Sequence, residues 1–450
     1  MAERRVAVIG GGISGLAAAH SLIDAGADVT LFESAPVLGG KIAATTLAGL
    51  ELPTAPDAFL ARQPEMIDLA EQLGLGDQLV APAAREARIA RRGRLHPLPP
   101  NLLGIPTELD ALAESGLISD AGVARAAQDL HAADDRPAGD ESVGALVRRR
   151  LGDEVLEYLV DPLLGGINAG DSDRLSALAG VPQVGAARAL HPSLIEAARL
   201  MRSRATPDPD APVFLTPVGG LQRMIDALQQ RVGSHGRLRL GEPAVIEPEG
   251  PEGWTVNGNR FERVVVATAA QPAAALTERV SPTAADELRG IDASSVAMVL
   301  MVLPAGSLAL DESISGVLVP RLEGRVVTAI SVATHKWPHL APDATVLRIS
   351  AGRRTDERWQ TMTDAELVAA VRADLAEVID LHVEPTATHV TRWMHALPQY
   401  DVDHAARVDR LEAALREDAP GLHLAGPMLR GLGLPACVRS GRAAAAAALG

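Results

Sequence analysis

The stretch from Arg5 to Glu33 constrains the fold more than any other part of the chain. The apolar run Val6 to Ile9 stops at a glycine cluster, an amphipathic Ala/Leu-rich segment follows to Ala25, and a second apolar run ends on Glu33, so the text reads strand, turn, helix, strand. This is a βαβ unit, and it requires an α/β fold with a parallel sheet. Gly10, Gly12 and Gly15 fall at the GxGxxG spacing. The first admits a tight turn, the second lets the backbone approach a pyrophosphate, and the third lets the helix pack closely on the strand. With Gly11 beside them, the free N–H groups of Gly12, Ile13, Ser14 and Gly15 face an anion at the positive end of the helix dipole. Glu33, followed by Ser34, lies eighteen residues past Gly15. It is placed to hydrogen-bond a ribose 2′-OH and its charge would repel a 2′-phosphate, which favours FAD or NAD over NADP.

With 450 residues the chain has room for two or three domains. No apolar run approaches the roughly eighteen residues of a membrane span, and the longest, Val296 to Leu303, reads as a buried strand. The N-terminus enters the first strand almost at once, so no signal peptide and a cytoplasmic location are expected. Cys437 is the single cysteine, which excludes internal disulfides and cysteine-rich metal sites and suits a buried structural thiol. Histidine and acid spacings suggest no metal. A net charge of −15 argues against nucleic acid and against a broadly basic membrane-binding surface. It leaves room for an acidic substrate where positive charge is concentrated locally.

Leu38-Gly39-Gly40-Lys41-Ile42 resembles the second glycine signature of the flavin amine oxidase and protoporphyrinogen oxidase superfamily, where a glycine pair precedes a basic residue near the flavin pyrophosphate. This resemblance selects FAD as the cofactor. Ala55-Pro56-Asp57-Ala58-Phe59-Leu60 is similar to the porphyrinogen oxidase segment GPDSFL, which contacts the flavin; Ala55 stands where the family has glycine. Five arginines, Arg85, Arg88, Arg91, Arg92 and Arg94, then fall within ten residues. They form either a solvated basic face or, in part, a grip on substrate carboxylates, which arginine can hold bidentately. Gly93-Arg-Leu-His-Pro-Leu-Pro-Pro100 followed by Gly104-Ile-Pro-Thr107 closely resembles protoporphyrinogen and coproporphyrinogen oxidases, and the amine oxidases much less.

Further along, Glu108 to about Arg204 is dominated by helical patterning and reads as an inserted helical subdomain, with turns expected at Arg136–Gly139 and Thr206–Pro212. Within it Pro162 to Gly170 reads as a glycine-rich loop approaching the active site, and resembles the family's "P…GGI.AGD" pattern; Gly166 and Ile167 there, with Arg94, are the candidate substrate contacts. Ala244, uncertain by one position against Val245, corresponds to the residue that meets the adenine. Thr391 to Tyr400 resembles the family's "RW…PQY" stretch, in which the tryptophan, here Trp393, lies against the flavin. Gly426 to Gly441 then offers a second glycine turn feeding a helix N-terminus, with Gly426, Gly431, Leu432, Gly433 and Leu434 as flavin contacts; Pro427 replaces a polar residue of the family pattern.

The resemblance therefore implies a Rossmann-type FAD-binding domain (1–75 with 213–280 and 388–450), a mixed-sheet substrate domain (76–107 with 281–387) and a helical insertion (108–212). It also implies a porphyrinogen taken to a porphyrin in a six-electron oxidation, with dioxygen reduced to hydrogen peroxide. No catalytic base is named. The local arginines and the absence of a greasy helical surface favour coproporphyrinogen III over protoporphyrinogen, in haem biosynthesis, with a ferrochelatase as a candidate transient partner; the sequence leaves oligomeric state open. An amine oxidase or desaturase on the same scaffold is a second reading, against which Tyr158 and Tyr400 are the chain's two tyrosines, too few for a site lined by tyrosine pairs. A non-enzymatic flavin-binding protein is a third.

Overall fold

Val6 and Val8 enter one apolar core while Ala7 and Ile9 enter another, so the first strand is buried on both faces. A strand of this kind belongs at the centre of a parallel sheet covered by other elements on each side. The structure, a computed structural model, describes residues 4–131, 133–134, 139–204, 211–250 and 253–450. In it Arg5–Ile9 is the middle of a five-stranded parallel sheet whose order is Arg237–Leu240, Asp28–Glu33, Arg5–Ile9, Arg263–Val266, Leu422–Leu424. The helices Ile13–Asp24, Gln222–His235 and Leu434–Leu449 build the core on one face. A three-stranded antiparallel meander over residues 246–261 and the helix His404–Asp418 help cover the other.

The alanine-rich final helix packs directly against the first. A Cβ on Gly441 would lie 2.1 Å from Ser14 O, so the two backbones approach more closely than any side chain would permit. Small residues on both helices make that approach possible.

A second sheet has seven strands, in the order Ala387–Pro398, Ala293–Pro304, Ala344–Ala351, Val327–Val332, Ile314–Leu318, Glu86–Arg91, Arg94–Pro97. One neighbouring pair, Ile314–Leu318 with Glu86–Arg91, is parallel and the others are antiparallel. The helix Asp364–Ile379 backs this sheet; it starts at a capping box in which Thr363 and Glu366 satisfy each other's backbone N–H groups. The described residues between 109 and 204 are largely helical, and their apolar side chains share a core with Ile89, Ile105 and Tyr400. Among the described residues, no helix is long and apolar enough to cross a membrane.

One expectation is corrected here. Pro162 to Asn168 is not a loop: Asp161–Asn168 is a helix, continued from a π-helical stretch at Leu156–Val160. Proline in the first turn needs no N–H partner, and the wider preceding turn gives its ring room, so the glycine pair is carried inside a helix that ends at left-handed Ala169. The turns expected at Arg136–Gly139 and Thr206–Pro212 fall largely outside the described residues.

Candidate active site

The first glycine corner has the geometry its spacing demands. Gly10 has φ +107°, and a Cβ there would sit 2.7 Å from Ala267 O; a Cβ on Gly15 would sit 1.9 Å from Gly10 O. Gly12 differs, since a Cβ on it would meet nothing within 4 Å. The space in front of Gly12 is therefore left for something other than protein. Glu33 closes the rim: Oε2 accepts from Gly11 N–H at 2.7 Å, and Oε1 accepts from Ala35 N–H at 2.7 Å and from the Ser34 hydroxyl at 3.2 Å.

The second glycine pair lies against the first corner. Gly39 N–H donates to Gly11 O at 2.9 Å, and a Cβ on Gly40 would stand 3.3 Å from Gly12 Cα. Lys41 follows, partly buried, its pKa pushed below the usual lysine value by burial, with no carboxylate partner among the described residues. Ser14 Oγ is buried and has no oxygen or nitrogen partner, only the weak thiol of Cys437 beside it. An uncompensated cation, an orphaned hydroxyl and free N–H groups at a helix start, all around an empty-faced glycine, fit the pyrophosphate of a dinucleotide.

From Ile42 the chain makes a hairpin, Ala44–Leu47 with Leu50–Pro53, and returns beside its start, where Thr54 N–H donates to Ala43 O at 2.9 Å. Trp393 Nε1 donates to Thr54 O at 3.0 Å. The next residues are clamped by Arg348 of the seven-stranded sheet and by the end of the short helix Ala333–Lys336. Asp57 Oδ2 accepts from Lys336 Nζ at 2.7 Å, from Arg348 Nη1 at 2.7 Å and from Trp337 Nε1 at 3.1 Å, while Arg348 also donates to Ala55 O. Burial alone would raise the Asp57 carboxyl, but Arg348 and Lys336 hold it well below the usual carboxylate range. Sequence reasoning missed both cations. The available signal was Arg348, a charged residue inside the apolar strand Val346-Leu-Arg-Ile.

The C-terminal glycine turn converges on the same place. Gly10 packs against Ala267 and Thr268, and a Cβ on Gly426 would lie 3.7 Å from Thr268 O, so one short turn separates the two corners. Gly426 N–H donates to Ser440 Oγ at 2.9 Å, and Gly431 N–H donates to the Tyr400 hydroxyl at 2.7 Å. Gly433 then caps the helix Leu434–Leu449. Leu432 packs toward the core of the helical region and Leu434 toward the core of the first helix.

Ala244 lies just beyond Glu33, because Glu242 N–H donates to Glu33 O at 3.0 Å. Val245 has both backbone groups engaged by Asn257: its N–H with Oδ1 at 2.8 Å and its carbonyl with the N–H at 3.1 Å. Among the described residues nothing engages the backbone of Ala244. Of the substrate candidates, Gly166 faces Leu318, whose Cδ2 would be 3.2 Å from a Cβ there, and Ile167 is 55% exposed. Arg94 lies two strands from that of Leu318 and far from Trp393. Its strand and that of Trp393 are opposite edges of the seven-stranded sheet, six spacings or roughly 29 Å apart before twist. On the neighbouring strand Glu86–Arg91, Arg91 stacks over Tyr158 at 3.9 Å and Arg88 pairs with Glu86.

Comparison with known proteins gives the family. Residues 13–449 match the family described as flavin containing amine oxidoreductase. The coproporphyrinogen III oxidase of Bacillus subtilis is 33% identical, over 99% of this chain and 98% of that protein. That of Mycobacterium tuberculosis H37Rv is 36% identical, over 98% and 97%. The chloroplastic protoporphyrinogen oxidase 1 of Arabidopsis thaliana is more distant, 28% identical over 96% and 85%. A crystal structure from Exiguobacterium sp. 255-15, described as a protoporphyrinogen oxidase candidate, superposes with a TM-score of 0.87 at 32% identity, covering 99% of this chain and 98% of that one. Cyclohexylamine oxidase from Brevibacterium oxydans, with a TM-score of 0.70 at 20% identity, shares the fold. The family is one of flavin-containing oxidoreductases, so the cofactor of this chain is a flavin. The chain belongs to the flavin containing amine oxidoreductase family and, within it, to the family of the bacterial coproporphyrinogen III oxidases.

Proposed function

We propose that this protein is an FAD-dependent oxidase that converts coproporphyrinogen III to coproporphyrin III in haem biosynthesis. The observation that carries the reading is the convergence of the two glycine corners, near opposite ends of the chain, on the Ala267–Thr268 turn. FAD, when bound, supplies the hydride acceptor and passes the electrons to dioxygen, which leaves as hydrogen peroxide.

The chain's own residues bind and orient. Gly10, Gly11 and Gly12 with the N–H groups of Ile13, Ser14 and Gly15 take the pyrophosphate, joined by Gly40 and Lys41. Glu33 and Ser34 take the ribose, and the unengaged backbone of Ala244 takes the adenine. Ala55, Pro56, Asp57 and Ala58, fixed by Arg348 and Lys336, form with Trp393 one wall of the ring site. Gly426, Gly431, Leu432, Gly433 and Leu434 form the opposite one. Gly166 and Ile167 lie on the substrate side. No side chain is assigned as a base. Each of three steps removes a hydride from a bridging carbon and a proton from a pyrrole nitrogen, and solvent can accept that proton. A final tautomerisation moves one hydrogen of the fourth bridging carbon to nitrogen. The same reading divides the chain into a flavin domain, a mixed-sheet substrate domain and a helical insertion, and places the protein in the cytoplasm. It delivers its product to a metal-inserting enzyme, a ferrochelatase.

The test is direct. Purified protein should carry the absorption bands of oxidised FAD and should generate porphyrin fluorescence from coproporphyrinogen III with stoichiometric peroxide. The 28% identity to a plant protoporphyrinogen oxidase keeps protoporphyrinogen as a second substrate candidate. Equal turnover of the two, or a preference for protoporphyrinogen, would reject the narrower assignment.

A further inference from the structure

Residues 399–401 follow directly on the long edge strand Ala387–Pro398 of the seven-stranded sheet, and two adjacent side chains there reach in different directions. Tyr400 is 2% exposed, and its hydroxyl makes two bonds to the C-terminal glycine turn: it accepts from Gly431 N–H at 2.7 Å and donates to Pro427 O at 2.5 Å. That turn has little internal structure of its own. Gly426 and Gly431 have φ of +130° and +134°, Pro427 has no N–H, and a 3.3 Å bond from Leu429 N–H to Gly426 O is its internal link. The Tyr400 ring stacks on His404 at 3.9 Å and 10°, and His404 Nε2 contacts Leu429 O at 2.8 Å, so the pair grips the turn at three of its residues.

Gln399, 3% exposed, serves the helical region instead. Its Nε2 donates to Asn168 O at 2.9 Å, at the end of the helix that carries Gly166 and Ile167, and a Cβ on Gly170 would lie 2.6 Å from its Oε1. Backbone contacts lock the joint: Ser176 N–H donates to Tyr400 O at 2.8 Å, and Leu175 pairs with Asp401.

We propose that Tyr400 is a positioning residue for the flavin-binding turn and Gln399 one for the substrate-side helix end, so that two neighbouring residues set the cofactor and the substrate wall against each other. The proposal rests on the flavin reading of the glycine corners. It divides the labour between two variants. Removing the Tyr400 hydroxyl leaves a half-buried N–H and a half-buried carbonyl unpaired in the turn, while removing the Gln399 amide unpairs the carbonyls of Asn168 at the helix end and of Leu397 and leaves the turn untouched.

The experiment titrates FAD into apoprotein and measures porphyrinogen kinetics on the reconstituted enzyme. Tyr400→Phe should weaken FAD binding by about tenfold or more and change the flavin absorption fine structure. Gln399→Ala should raise the porphyrinogen KM while leaving the FAD Kd within about twofold. Tyr158→Phe, which removes the chain's other tyrosine hydroxyl, should leave FAD binding unchanged. Folding of a variant need not decide the matter, because 3-fluorotyrosine can be incorporated at both tyrosines of the intact sequence. The fluorine resonance of Tyr400, assigned by its presence in the Tyr158→Phe protein, should shift on FAD addition, and that of Tyr158 should not. FAD affinity unaffected by Tyr400→Phe, or an unmoved Tyr400 resonance on FAD binding, overturns the proposal alone. Failure of the unmodified chain to bind FAD overturns the flavin reading and this proposal with it.

Discussion

The Lys336 ammonium donates to the Asp57 carboxylate at 2.7 Å although 279 residues separate them in the chain. With Arg348 on the same oxygen, one buried carboxylate ties the segment after the second glycine pair to the seven-stranded sheet. Removing the charge leaves two cations with no counter-charge in a nearly dry site. Asp57→Asn should therefore destabilise the protein by about 3–5 kcal/mol, read as a lower urea midpoint at neutral pH. The pH dependence has a definite sign. The folded carboxyl titrates below its unfolded counterpart, so its stabilisation is fully present above the unfolded value of 3.8 and is lost as pH falls from there toward the depressed folded value. Urea midpoints measured down through that window should converge for wild type and Asp57→Asn; parallel curves would count against this account.

Gly12 and Gly15 lie in one motif but should respond to alanine in opposite ways. At Gly15 the added Cβ would stand 1.9 Å from Gly10 O, so the strand and helix must separate and the fold should lose several degrees of thermal stability. At Gly12, with φ −74° and open space in front, alanine costs the protein nothing. On the proposed reading it occupies the place of the pyrophosphate. Gly12→Ala should leave the melting temperature of the flavin-free protein unchanged and weaken FAD binding by about tenfold or more, the equivalent of at least 1.4 kcal/mol. Thermal melts without flavin, beside flavin titrations, separate the two effects.

The contrast shows what was legible in the sequence. A βαβ unit with its glycines is a local structure, and its strands, helix and terminal acid occur where the spacing of residues 5–33 places them, because each contact spans few residues. The Asp57 clamp is not local. Nothing near Asp57 in the chain announces Lys336 or Arg348; the partnership exists only once the hairpin at 44–53 has returned Thr54 beside Ala43 and the second sheet has closed over it. The helix at Asp161–Asn168 was hidden for another reason. Proline and two glycines argue for a loop on propensity alone, and burial of Leu164 with the π-helical turn before it overrides that preference. Tyr400 was visible as part of a motif, but its role depends on a turn folded from residues 427–431.

Arg94 is a candidate substrate contact that a single variant tests. A run of arginines looks like a carboxylate grip, yet the Glu86–Arg91 and Arg94–Pro97 hairpin places Arg94 exposed on the outer edge of the sheet, without a partner among the described residues. Arg94→Ala should change the porphyrinogen KM by no more than about twofold, as for a solvated surface charge. Steady-state kinetics at low and moderate salt would check it, and a large KM rise that salt does not mimic would place the substrate across the sheet instead.

Lys41 gives a prediction in which stability and binding move in opposite directions. Its ammonium is partly buried, its pKa lowered by that burial, and no carboxylate meets it. In the flavin-free protein the charged form is penalised. Because the folded group binds its proton less tightly than the unfolded one, stability attributable to this site should rise as pH climbs from the lowered value toward 10.5. Lys41→Met keeps the stem and removes the charge, so the flavin-free variant should be more stable than wild type by roughly 0.5–2 kcal/mol. The same change removes a charge-assisted contact to the pyrophosphate, and FAD binding should weaken by about tenfold, with a smaller salt dependence than wild type. Calorimetry of the flavin-free proteins, paired with flavin titrations at two ionic strengths, tests both halves. A variant that lost stability and kept its affinity would mean that Lys41 serves the fold rather than the cofactor.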